Sequence, residues 1–126
     1  MSVRPSHRAI FAAVLLLHCT MARAHILRDD ECVEASDFIR NAALSRDNGY
    51  SEERFVAHME DDIVTIQAFP KESRWVVQDD DDAAMLIGAV REVFRNPLDA
   101  EEHRSRFLLT CRANDGESSL GPPNIR

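Results

Sequence analysis

The sequence is poor in the residue patterns that most catalytic and phosphate-binding motifs require. Its four glycines are scattered, so no glycine-rich loop can cradle a phosphate. No G-x-S-x-G occurs to present an activated serine, and no H-E-x-x-H to hold a catalytic zinc. Lysine is nearly absent: Lys71 stands alone and arginine supplies every other base. Aromatics are few, with one tryptophan, Trp75, and one tyrosine, Tyr50. No stretch alternates apolar and polar residues as a strand does, and no internal repeat is visible. These gaps argue against β architectures, nucleotide binding and motif-driven hydrolysis. They leave a helical domain with no cofactor motif, expected to be non-enzymatic.

The N-terminus carries the clearest positive signal. Arg4, His7 and Arg8 form a basic head, Ile10 to Leu17 is an unbroken apolar run, and Ala22-Arg23-Ala24 reads as A-x-A. Basic head, short apolar core and small residues before a cut are the parts of a secretory signal peptide. The apolar run is too short to span a bilayer, which takes about 20 residues. No later segment is long enough either, so no membrane span is expected once residues 1–24 are removed. The mature chain then starts at His25 and is periplasmic or secreted. Cys19 leaves with the signal. A lipoprotein signal would want a small residue before it, where His18 stands.

Removing residues 1–24 takes three arginines and no acid. Twelve bases then face 22 acids, a net charge of −10. Such a surplus repels nucleic acid and anionic lipid and favours a basic partner, which export makes a basic exported protein. Two cysteines remain, Cys32 and Cys111. An even count in a small exported chain predicts a disulfide.

Apolar spacing predicts four short helices. Residues 25–30 form an arm. Helix one runs from about Asp30 to Arg46, with Cys32, Ala35, Phe38, Ile39 and Ala42 on one face, and Asn48-Gly49 stops it. Helix two spans Ser51 to about Ala68, with Ser51 as N-cap, a stripe of Phe55, Met59, Ile63 and Ile66, and Pro70 beyond. Residues 70–78 read as a loop that folds Trp75, Val76 and Val77 onto the core, although Pro70 could also open a helical turn. Asp79 to Asp82 starts helix three, whose stripe is Met85, Leu86, Ala89, Val90, Val93 and Phe94. Asn96-Pro97 ends it, and Asp99 with Glu102 is spaced as a capping box for helix four. His103, Phe107, Leu108 and Cys111 share that helix's inner face. The fold class is therefore all-α: a small bundle of four short helices over residues 31–112, its first and last tied by Cys32–Cys111. Residues 113–126, rich in Gly, Ser and Pro, are expected to be disordered.

Each chemical candidate has a plainer counterpart. An EF-hand loop opening at Asp79 would need Gly and Glu where Ala84 and Val90 stand, so the acids there are better read as a helix start. Asp61 and Asp62 are adjacent on a helix and diverge by about 100°, as a solvated face would. His25 as a free N-terminus could chelate copper through its amine and imidazole, with His58 or His103 closing the site, but one residue carries that whole case. Arg46, Asp47 and Tyr50 form a polar corner that serves either as a recognition loop or as ordinary interhelix turn chemistry. Trp75-Val76-Val77 is the best candidate partner site, because Trp concentrates at binding hot spots; in so small a domain it is also the natural core plug.

Cys32, Ala35, the run Ser45-Arg46-Asp47-Asn48-Gly49-Tyr50-Ser51, Val90 to Phe94 with Pro97, and Cys111 together resemble a loose group of small uncharacterised exported bacterial helical proteins. The likeness runs from Cys32 to Cys111 and rests on motifs of low specificity. It implies an exported, disulfide-tied helical domain and no particular activity. In design alone the chain is also similar to the periplasmic acid-stress chaperones, with no motif shared. Three functions follow as expectations: a protein-binding or helper module using the acidic surface and Trp75, an acid-responsive chaperone, or a copper-handling protein built on His25.

Overall fold

A computed structural model describes residues 25–119, with side chains through Asp115. The expected signal peptide with Cys19, and residues 120–126 of the expected tail, lie outside the described residues. The order is α1 (Asp29–Asp47), α2 (Glu52–Gln67), a single 3-10 turn (Lys71–Ser73), α3 (Asp80–Arg95) and α4 (Ala100–Ser119). There are no strands among the described residues.

Local chemistry sets each boundary. Asp29, Asp30 and Glu31 fill the first turn of α1, where the helix dipole favours acids. The Arg28 N–H donates to Glu31 Oε2 at 2.8 Å. Arg28 has no side-chain acceptor, so only half of a capping box forms. Gly49 ends α1 at φ +88°. Its N–H donates to Arg46 O and that of Tyr50 to Ser45 O, so the last carbonyls are satisfied in a Schellman closure. Ser51 Oγ caps α2 by accepting from Arg54 N at 3.2 Å. Asp79 Oδ1 caps α3 by accepting from Asp81 N and Asp82 N, each at 3.0 Å. Asp99 Oδ1 caps α4 by accepting from Glu102 N at 2.8 Å. The return half of that box is absent, because the Glu102 carboxylate pairs with Arg106 instead.

The core is built from small and branched side chains. α1 buries Cys32, Ala35, Ser36, Ile39, Ala42 and Ala43, a face small enough for close approach. It packs most extensively on α4 and then on α3, while α2 packs mainly on α3. Leu86, Val90 and Val93 of α3 meet that face together with Val76 and Val77, both fully enclosed. The loop reading of residues 70–78 holds apart from the short turn, and its two valines belong to the core. Cys32 and Cys111 are bonded with Cα atoms 5.7 Å apart, joining the first helix to the last. Among the described residues no helix is long and apolar enough to cross a membrane.

Residues 113–119, the first part of the expected tail, continue α4 as helix. Asn114-Asp115-Gly116 is weak in helix propensity, but the helix is already nucleated and pinned at Cys111 by the disulfide. Extending an existing helix costs far less than starting one.

Candidate functional site

Among the described residues, two concavities on the bundle stand out. The smaller, about 370 Å³, lies where the Trp75 loop meets α1, α2 and α3, lined by Phe38, Met59, Ile63, Ile66 and Leu86. Trp75 is partly open at its mouth and rigidly held. Its Nε1–H donates to Glu34 Oε2 at 2.9 Å, and its ring meets Phe38 edge-on at 5.3 Å between centroids. The aromatic chain continues through Phe55 to Phe94, at 6.0 and 5.6 Å. Asp62 stands on the rim.

The larger cavity, about 480 Å³, lies between α1, α3 and α4 and is walled on one side by the arm His25–Leu27. Ile39, Met85, Ala89 and Phe107 make it apolar, with Glu92 and Arg106 among its polar lining. His25 and His103 both line it. His103 is buried and its Nε2 lies 3.0 Å from Asn96 O, so it serves the α3–α4 connection.

No family model, curated protein or solved structure matches this chain.

The proposed partner-binding residues separate sharply. Val76 and Val77 are buried in the core, with Val77 part of the wall of the smaller cavity, so Trp75 is the accessible member of the tripeptide. Arg46 is also committed. Its Nη1 donates to Val93 O at 2.7 Å and Asn96 O at 2.9 Å, and its Nη2 to Leu98 O at 2.7 Å. These carbonyls at the end of α3 and in the connector have no helical partners, and a guanidinium can satisfy several of them at once. Asp47 steadies Arg46 through an ion pair at 2.8 Å. Tyr50 is exposed, and the Arg54 guanidinium lies over its ring, 4.8 Å from the ring centre. Turn chemistry thus accounts for the corner.

Sequence reasoning missed two residues. Arg74 donates to Phe69 O, Gln78 O and Gln67 O, doing for α2 what Arg46 does for α3. Asp82 lies within the acids read as a helix start, and it is fully buried. Its Oδ1 accepts from the His25 backbone N–H at 3.1 Å, and its Oδ2 accepts from Gln78 N at 2.9 Å and lies 2.5 Å from His25 Nδ1. The available signal was spacing: Asp82 falls one helical turn before Leu86, on the buried stripe. His25, the copper candidate, therefore points its backbone nitrogen and Nδ1 at a carboxylate. His58 is exposed on α2, and no group of three metal-ligating side chains is assembled among the described residues.

Proposed function

We propose that this chain is an exported, non-enzymatic binding module whose acidic, disulfide-tied bundle takes a basic amphipathic segment of another exported protein at the Trp75 groove. The observation that carries this reading is Trp75 itself. It is an aromatic anchor fixed by Glu34 and Phe38, partly open beside an apolar groove with Asp62 on its rim. Rigid aromatics at the centre of an apolar patch carry most binding energy at protein interfaces. The mature net charge of −10 adds attraction for a basic partner and speeds its encounter. The A-x-A site and the paired cysteines support export.

The test uses Trp75 as its own reporter, since the chain has no other tryptophan. The protein is titrated with a lysine- and leucine-rich amphipathic peptide and with its glutamate-containing counterpart. A saturable fluorescence shift with the basic peptide, weakening as salt rises and absent with the acidic one, is the expected result. Equal response to both peptides, or none at low ionic strength, overturns the reading.

A second reading, acid-responsive exposure of apolar surface, is favoured by how α1 is held to α4. Arg40–Glu101, Asp37–Arg104 and Asp29–Arg112 all bridge those two helices through carboxylates. Protonation would dissolve these ties and swing the mature chain from −10 towards +15.

A further inference from the structure

We infer that the Ala24–His25 peptide bond is a processing site whose product amine becomes part of the fold: the new α-ammonium of His25 pairs with the buried Asp82 and seats the arm that walls the larger cavity. The inference rests on the export reading and adds a structural purpose to the cut.

Two independent observations meet at His25. Ala22-Arg23-Ala24 marks the bond before it as a point of cleavage. In the fold, the nitrogen that cleavage would free lies 3.1 Å from Asp82 Oδ1. Asp82 is fully enclosed and forms no ion pair with lysine or arginine among the described residues. A buried carboxylate without a cation is costly, and hydrogen bonds from neutral N–H groups offset only part of that cost. The nearest basic group is the His25 imidazole, whose Nδ1 lies 2.5 Å from Asp82 Oδ2 and whose Nε2 lies 3.6 Å from a second carboxylate, Glu31. One imidazole thus stands between two acids, although Arg28 also approaches Glu31. A cation at the His25 nitrogen would offset the cost of the enclosed Asp82 carboxylate.

The chemistry is a hydrolysis. A leader-removing hydrolase of the export route adds water across the Ala24–His25 amide. The C–N bond breaks, Ala24 keeps a carboxylate and His25 keeps the amine. That amine takes the proton released and becomes an ammonium; no electrons are transferred. Before the cut, the His25 nitrogen is a neutral amide with one hydrogen. After it, a full positive charge faces Asp82 Oδ1. The pair would fasten the arm to the first turn of α3, and Ile26 and Leu27 of that arm line the cavity. Cleavage therefore completes one wall of a binding-sized space.

The experiment exports the full chain behind its own leader and compares it with a chain carrying one glycine inserted between Ala24 and His25. Each is also made with Asp82→Asn. Intact mass reports the first residue of every product. The expected result is a start at His25 for the parent and a Tm lower by about 5–10 °C for the glycine form, a shift within the usual range for a domain of this size. In the Asp82→Asn background the insertion should cost nothing. A second measurement needs no variant. Lys71 is the only lysine, so acetylation of the folded mature protein can fall only on it or on the α-amine. The α-amine is ordinarily the more reactive at neutral pH, because its pKa is lower. It should label at least tenfold more slowly when folded than when denatured. Equal Tm values with the start at His25 confirmed, or an α-amine that labels equally fast folded and denatured, overturn the inference and leave export standing. A cut elsewhere overturns the inference and leaves export standing, whereas a retained leader overturns both.

Discussion

Single arginines hold the helix ends of this protein. Arg46 serves Val93 O, Asn96 O and Leu98 O from one guanidinium, and Arg74 serves Phe69 O, Gln78 O and Gln67 O from another. A lysine ammonium cannot present a planar fan of donors, which gives the scarcity of lysine a physical reading at these two sites. Arg46→Ala should cost about 2–3 kcal/mol, the usual scale for charged hydrogen bonds lost from a partly buried site. Arg46→Lys should recover less than half of that. Urea unfolding of the three proteins decides it; full recovery by lysine would show that charge alone matters. Gly49 offers a cleaner case. A Cβ there would meet no neighbouring atom within 4 Å, so any cost comes from its φ of +88°. Gly49→Ala should destabilise by about 1 kcal/mol through its own backbone, and Gly49→Asn by less, since Asn tolerates that region better.

At the scale of elements, α1 and α4 form the unit on which the rest is assembled. The disulfide closes a long loop between them. Replacing Cys32 and Cys111 together by alanine should lower stability by about 4 kcal/mol if loop-closure entropy dominates. Denaturant midpoints with and without reductant provide the check. The exposed flank of the same pair responds to pH in a stated direction. Arg112 beside Asp29 holds the Asp29 carboxyl below its ordinary value of 3.8, while Asp29 pushes the Arg112 guanidinium up. Asp37 likewise raises Arg104. A carboxyl depressed by folding contributes its stabilisation above the ordinary aspartate value and loses it as pH falls through its folded pKa. Asp29→Asn should therefore flatten the acid limb of the stability curve and leave the slope near neutral pH unchanged. The effect is small, because exposed pairs are screened by water.

For the molecule as a whole, charge and core pull in opposite directions. Without residues 1–24 the chain would carry a net charge of −10, and self-repulsion of that size works against compactness. Interhelix ion pairs and the disulfide offset part of that repulsion. On acidification the sign of the charge reverses, the α1–α4 carboxylates are neutralised and only the disulfide and core remain. If the second reading holds, a hydrophobic dye should begin to bind well above the pH at which helix content collapses. Dye binding that appears only together with loss of helix would indicate plain unfolding.

Much of the bundle was legible because its signals are local. Ser51, Asp79 and Asp99 are caps by residue type, Gly49 is a stop, and stripes at steps of three and four mark the buried faces of α1 to α3. The length of α4 was not legible, because Asn114-Asp115-Gly116 argues for a break that anchoring at Cys111 overrides. The site was less legible than the fold. The sequence by itself determined an all-α chain with two cysteines to join, a strongly acidic surface and one tryptophan. Only tertiary structure decided that Arg46 and Arg74 serve backbone carbonyls and that one of four consecutive aspartates is enclosed beside His25. Caps and stripes follow from neighbours within a turn, whereas the fate of a charge depends on what packs over it from 57 residues away.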